Sequence, residues 1–184
     1  MKKYTVIDIE TTGFKPEEGA EITEIAGCNC VDGEVLTSFS STVKITGIVT
    51  EFIRELTGIT NDMVKNSECL EKVFIDFMDS LSIDKDTNLV IHNAEFDFNF
   101  IIYHITRNSI IPKNYIDRFK SVNIICSLEL SRKLLSGSHK LEDLKKRFGI
   151  NTKSHRALND VLVTNKIYTK LLELEAENDN KTNL

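Results

Sequence analysis

Val6-Ile7-Asp8-Ile9-Glu10-Thr11-Thr12-Gly13 is the stretch on which the reading of this chain turns. Tyr4, Val6, Ile7 and Ile9 are aromatic or β-branched, and the run stops at Gly13, so it reads as a strand. Side chains alternate along a strand, which puts Asp8 and Glu10 on one face. Both acids interrupt an apolar run, where an unpaired carboxylate is unfavourable. Two carboxylates about 4 Å apart repel by roughly 4 kcal/mol at an effective dielectric of about 20. A hard divalent cation with oxygen ligands would hold them together. Thr11-Thr12-Gly13 then forms a turn whose amides and hydroxyls suit the end of a phosphodiester chain. The same residues fit an edge strand carrying two solvated acids, and this stretch alone does not separate the two readings.

The 184 residues are enough for one domain with a sizeable core, and 41% hydrophobic with 28% charged residues is a soluble globular profile. No apolar run approaches the roughly 20 residues of a membrane span, and the opening Met-Lys-Lys-Tyr reads as strand rather than secretion signal. The expectation is a cytoplasmic protein with no membrane association. Cys28, Cys30, Cys69 and Cys126 lack metal spacing and read as reduced thiols. A net charge of −5 argues against coating nucleic acid through bulk positive charge, but not against a nuclease whose acids are covered by metal.

Outward from the first strand, Glu21–Cys28 reads as a second strand. Asp32-Gly33 is a hairpin turn, and 34–45 reads as a third strand, making an antiparallel meander. Glu24 reads as a solvated strand acid rather than a metal ligand. Thr50 caps a short helix to Leu56, and Thr60 caps a turn to Lys65. Ser67 opens a longer helix to Ser80, with Val73, Phe74, Phe77 and Met78 at helical spacing. Leu89-Val90-Ile91 is a short buried strand, and Asn93 is placed to cap the helix Ala94–Thr106. Asp97 therefore lies in the first turns of a helix that leaves a strand's C-terminal end, where ligand sites gather in α/β sheets. Ser121–Ile125 is another strand, followed by helices 127–135 and 141–148. The last long helix spans Ala157 to about Glu175. His155 and Asp160 converge only if His155 sits at or before that helix's start, where Ser154 is a candidate cap. The expected organisation is one domain, 1–175, with a polar tail, 176–184, that frays.

Asp8-Ile9-Glu10-Thr11-Thr12-Gly13, His92-Asn93-Ala94-Glu95-Phe96-Asp97 and His155-Arg156-Ala157-Leu158-Asn159-Asp160 together resemble the three motifs of the DEDD-type (DnaQ-like) 3′–5′ exonucleases, in the variant that carries a histidine. Leu56-Thr57-Gly58-Ile59-Thr60 is similar to a further family element. The motifs occur in the expected order across nearly the whole chain. The resemblance implies an α/β, ribonuclease H-like fold with a five-stranded mixed sheet flanked by helices. It implies two Mg²⁺ or Mn²⁺ ions held by Asp8, Glu10, Asp97 and Asp160. Asp8 would bridge both ions, Glu10 and Asp160 would hold the first, and Asp97 would help hold the second. His155 would be the general base, a task that suits an unperturbed imidazole. Ile9, Thr11, Thr12 and Gly13 would hold the terminal nucleotide. Leu56, Thr57 and Phe96 would pack on the last bases, and Asn93 would touch substrate or cap its helix; Phe96 equally suits the core.

The function implied is hydrolysis of single-stranded DNA from its 3′ end to nucleoside 5′-monophosphates, in proofreading, repair or end processing. A DNA polymerase is the implied protein partner, as for the proofreading exonucleases of bacterial replicative polymerases. Those carry a C-terminal extension that binds the polymerase, whereas this sequence stops soon after the nuclease core, which suits an independent nuclease. An RNA 3′–5′ exonuclease is the alternative enzyme. A silent nucleic-acid-binding or polymerase-docking module is the alternative of another class, and it has no need of four acids and His155. Basic residues outnumber acidic ones between Tyr103 and Lys170, which fits either a strand-binding face or solvated helix surfaces.

Overall fold

A computed structural model describes residues 1–152 and 156–182. Its five strands are β1 (Lys3–Thr11), β2 (Ile22–Val31), β3 (Glu34–Thr42), β4 (Asn88–Ile91) and β5 (Asn123–Cys126). They form one sheet ordered β3-β2-β1-β4-β5. β1 to β3 are the antiparallel meander read from the sequence, while β4 and β5 run parallel to β1. The acid-bearing strand is thus the centre of a mixed sheet. The helices are α1 (Glu51–Thr57), α2 (Asn61–Lys65), α3 (Leu70–Ser80), α4 (Ala94–Arg107), α5 (Lys113–Lys120), α6 (Ser127–Leu134), α7 (Leu141–Arg147) and α8 (Ala157–Thr182).

Alternation along β1 sorts the core into two layers. Ile7 and Ile9 face a cluster built from α3, α4 and α5, with Phe74, Phe77, Phe100 and Phe119 fully buried in it. Removing one of these rings, as in Phe77→Ala, would destabilise the fold by about 3–5 kcal/mol. Gly27 lets β2 approach α3, since a Cβ there would stand 2.7 Å from Leu81 Cδ1 and 3.0 Å from the Val6 carbonyl oxygen. Tyr4 and Val6 face the other way, onto Ala157, Val161 and Tyr168 of α8. Asp8 and Glu10 continue that second face beyond its apolar part. α8 is enclosed on its outer side too, where Val163, Ile167 and Leu171 meet Leu144 of α7. Its polar Asn165 is also buried, accepting from Tyr4 Oη at 2.7 Å and donating to the Gly33 carbonyl at 2.8 Å. Among the described residues no helix is long and apolar enough to cross a membrane.

Several boundaries differ from those expected. The helix expected from Ser67 begins at Leu70, because residues 67 and 68 are held in other contacts. Ser67 Oγ bonds the Met63 carbonyl and Thr42 Oγ1, and the Glu68 carbonyl accepts from Lys44 N beside a bridge to Val43. Thr50 and Thr60 do cap α1 and α2, and Gly58 ends α1 at φ +72°. β3 stops at Thr42, short of Ile45, and Ile45 joins a small satellite core with Val49, Ile53 and Ile59. α5 was not expected after Pro112; its amphipathic turn buries Phe119 against Phe98 and Phe74. α8 continues to Thr182, through the stretch expected to fray, where neither Gly nor Pro interrupts it. Cys28 and Cys30 are buried, as expected of core thiols, while Cys69 is exposed.

Candidate active site

Three of the four expected acids meet at the end of β1. One oxygen from each of Asp8, Glu10 and Asp160 lies within 4.8 Å of the others. β1 supplies the first two through its alternation, and the first turn of α8 supplies Asp160. Asp97 enters from the opposite side of the sheet on the first turn of α4. Its side chain is buried, and Oδ1 accepts a hydrogen bond from Ile9 N at 3.3 Å. That bond ties α4 to the backbone between Asp8 and Glu10.

The electrostatics are those of acids awaiting a cation. Burial, and then the charges of Asp97, Glu10 and Asp160, push the Asp8 carboxyl well above the usual carboxylate range. Burial and then Asp160 push Glu10 up to about 8. Burial raises Asp97 to about 7, against the lowering effect of the Ile9 amide. Among the described residues, no side-chain donor is hydrogen-bonded to Asp8 or Glu10. A set of close, hard oxygen donors whose charges oppose one another fits a divalent ion of the Mg²⁺ or Mn²⁺ type.

Beside the acids lies a cleft of about 160 Å³, lined by Ile9, Glu10, Thr11, Gly13, Phe14, Phe52, Ile53, Leu56, Thr57 and Phe96. It brings together six of the eight expected substrate contacts: Ile9, Thr11, Gly13, Leu56, Thr57 and Phe96. Phe96 packs on Phe100, with ring centroids 5.5 Å apart, and also lines the cleft. Thr12 lies outside the lining; its backbone and hydroxyl are both bonded to Glu21. Thr11 Oγ1 donates to the Gly13 carbonyl at 2.7 Å, so both turn hydroxyls are already engaged within the protein, and Thr57 Oγ1 donates to the Ile53 carbonyl. Asn93 stands before α4 in the left-handed region at φ 64° and makes no side-chain cap, which removes its capping role and leaves its side chain exposed. His92 is a partly buried tie: Nδ1 meets Ser127 Oγ at 3.0 Å, Nε2 meets the His139 carbonyl at 3.1 Å, and desolvation lowers its pKa to about 4.

Two exposed aromatic rings on this cleft went unread in the sequence. Phe14 is 80% exposed and Phe52 64%. Phe52 stands one helical turn before Leu56 on α1, a spacing that could have flagged it. Glu24 corrects the expectation of a solvated acid: it is buried and paired with Arg156. Of the basic residues between Tyr103 and Lys170, Lys113, Arg132, Lys145 and Lys170 are paired with acids on their own helices. His155 and Ser154 lie outside the described residues, and α8 begins at Ala157, after both in sequence.

The RNase T exonuclease family model matches residues 5–168. DNA polymerase III subunit epsilon of Aquifex aeolicus is 32% identical over 92% of this chain and 80% of its own length. The 3′–5′ exonuclease DinG of Bacillus subtilis is 30% identical over 94% of this chain, which spans only 18% of that protein. PolC-type DNA polymerase III of Streptococcus pneumoniae is 33% identical over 98% of this chain and 12% of its own length. In fold, the chain resembles Escherichia coli exonuclease I in complex with a dT13 oligonucleotide, at a TM-score of 0.80, 18% identity, and coverage of 98% of this chain and 43% of that one. It also resembles the nuclease domain of 3′hExo, a DEDDh family member bound to rAMP, at 0.68, 22% identity, and coverage of 93% and 92%. Exonucleases of this family are metal-dependent, in keeping with the acid cluster. The chain belongs to the exonuclease family, as a DnaQ-like 3′–5′ exonuclease domain.

Proposed function

We propose that this chain hydrolyses single-stranded DNA from its 3′ end and releases nucleoside 5′-monophosphates. The observation that carries the reading is the convergence of Asp8, Glu10 and Asp160, with Asp97 tied to Ile9, beside an apolar cleft. Asp8, Glu10 and Asp160 would hold one divalent ion, and Asp8 with Asp97 would hold a second. Such ions, of the Mg²⁺ or Mn²⁺ type, would supply positive charge for a displacement at phosphorus. The chain's own residues do the rest. Phe52, Leu56 and Phe96 seat the terminal bases by stacking and apolar contact, which tolerates any base identity. The backbone of Ile9, Thr11 and Gly13 approaches the terminal sugar-phosphate, Thr12 keeps that turn in place through Glu21, and Asn93 reaches the strand from the start of α4. His155, as neutral imidazole, takes the proton of the attacking water.

The likeness to subunit epsilon and PolC, both DNA polymerase III proteins, supports DNA as substrate and work alongside a polymerase. The test is digestion of 5′-labelled single strands of DNA and RNA with Mg²⁺ or Mn²⁺. The expected result is a ladder shrinking from the 3′ end, faster for DNA. Immediate release of the labelled 5′ nucleotide, or cutting of a circular single strand, would contradict it.

A further inference from the structure

Glu24 is a buried acid that the metal-holding set does not use. Its Cα partner across the β1/β2 ladder is Glu10, so the two side chains leave the sheet on the same face. The Glu24 charge adds to the repulsion that raises Asp8 and Glu10, yet it is the best-supplied acceptor among these acids. Arg156 Nε and Nη2 donate to its two oxygens at 2.9 and 2.7 Å, Ser40 Oγ donates at 3.0 Å, and Ala157 N donates at 3.2 Å.

The Ala157 bond puts the carboxylate at the start of α8. The first N–H groups of a helix have no partner within it, and a negative charge there also favours the helix dipole. Glu24 thus serves as a cap supplied by a strand 133 residues away in sequence. The two-pronged guanidinium contact fixes direction as well as distance. Asp160 follows within the same turn, its N–H donating to the Arg156 carbonyl at 3.1 Å. The chain between the anchor and the acid is therefore one hydrogen-bonded loop of backbone. Arg156 is also close enough to interact with Glu10, so its charge borders the acid cluster without joining it.

From this geometry we infer that Glu24 and Arg156 form one positioning unit, which holds the first turn of α8 so that Asp160 meets Asp8 and Glu10. On this inference both act through Asp160 and not on the strand or the reacting atoms. The inference rests on the reading of Asp160 as a metal-holding acid.

The test uses the full chain, stripped of metal, with Mn²⁺ as probe. Mn²⁺ affinity is measured by calorimetry, and kcat and KM on a single-stranded oligonucleotide. Outer partners of metal-holding groups typically contribute about 10–100-fold to affinity or activity. Glu24→Gln and Arg156→Met should each lower Mn²⁺ affinity and kcat by a factor in that range while sparing KM. The double variant should be no worse than the worse single variant, because the pair acts as a unit. Arg156→Lys keeps the charge without the fork and should recover only part of the loss. Folded variants with wild-type Mn²⁺ affinity and altered melting alone would overturn the inference, as would additive losses. Should Glu24→Gln not fold, Arg156→Met decides, since that side chain is 39% exposed. A wild type that binds Mn²⁺ without hydrolysing DNA would refute the proposed function, and the affinities would still decide the positioning role.

Discussion

Glu10 and Glu24 face each other across two strands, and the fold treats them in opposite ways. Glu24 is enclosed and receives donors from Ser40, Arg156 and Ala157. Glu10 has Asp8 and Asp160 for neighbours, and its carboxyl is pushed up to about 8. The difference separates two uses of a buried carboxylate. One with a full set of protein donors holds chain segments together. One placed among like charges is held for a cation from outside, and the fold tolerates its repulsion until that cation arrives.

The largest expected effect breaks the cation side of the contrast. Asp8→Asn should lower kcat by about 10³-fold or more, since several kcal/mol of transition-state stabilisation are lost at about 1.4 kcal/mol per tenfold. Single-turnover hydrolysis with saturating Mn²⁺ measures it. His155→Ala should lower kcat by about 10²–10⁴-fold, the usual contribution of a general base, and leave strand binding in Ca²⁺ unchanged. Lost binding in a protein that no longer folds would instead mark His155 as structural. Phe52→Ala should raise KM for the strand by roughly 5–100-fold and spare kcat, as loss of one base-stacking surface does. The smallest effects sharpen the contrast by their sign. Without metal, Asp8→Asn should raise the melting temperature by relieving repulsion. Glu24→Gln should lower stability by about 1–3 kcal/mol, because buried donors lose their ionised acceptor. Calorimetric melting of both variants compares them, and equal signs would dissolve the distinction.

Much of this was legible in local pattern. Alternation placed Asp8 and Glu10 on one face, and a strand followed by a helix start placed Asp97 at the sheet's C-terminal edge. What escaped depended on distance along the chain or on backbone geometry. Glu24 and Arg156 are far apart in sequence, and each alone looks like an ordinary surface charge. Asn93 looked like a helix cap because of its residue type, but its left-handed backbone withdraws the side chain from that task. The hydroxyls of Thr11 and Thr12 look free in the sequence, but Thr11 Oγ1 donates to the Gly13 carbonyl and Thr12 Oγ1 accepts from Glu21 N. α5 was hidden by Pro112, which reads as an end yet stands here at a helix start. The place of Phe14 on the cleft is set by tertiary structure, which no spacing within its segment reports, whereas the i,i+4 spacing of Phe52 and Leu56 on α1 was a usable signal.

The most direct test of the central claim, that this acid cluster is built around a cation, is the stability of the metal-free chain against pH. Asp8, Glu10 and Asp97 all have folded-state values above their ordinary ones, Glu10 rising from 4.5 to about 8 and Asp97 from 3.8 to about 7. Between the ordinary and the raised values the folded chain holds more protons than the unfolded one, so stability falls as pH rises. His92, lowered from 6.5 to about 4, and His104, also lowered by burial, act in the opposite sense, but mainly below about 6.5. The window from about 6.5 to about 8 therefore reports the acids. Thermal unfolding there should show stability falling with pH without metal, a slope reduced in Asp8→Asn, and recovery on adding Mn²⁺ that grows with its concentration. A flat profile that Mn²⁺ leaves unmoved would contradict the account.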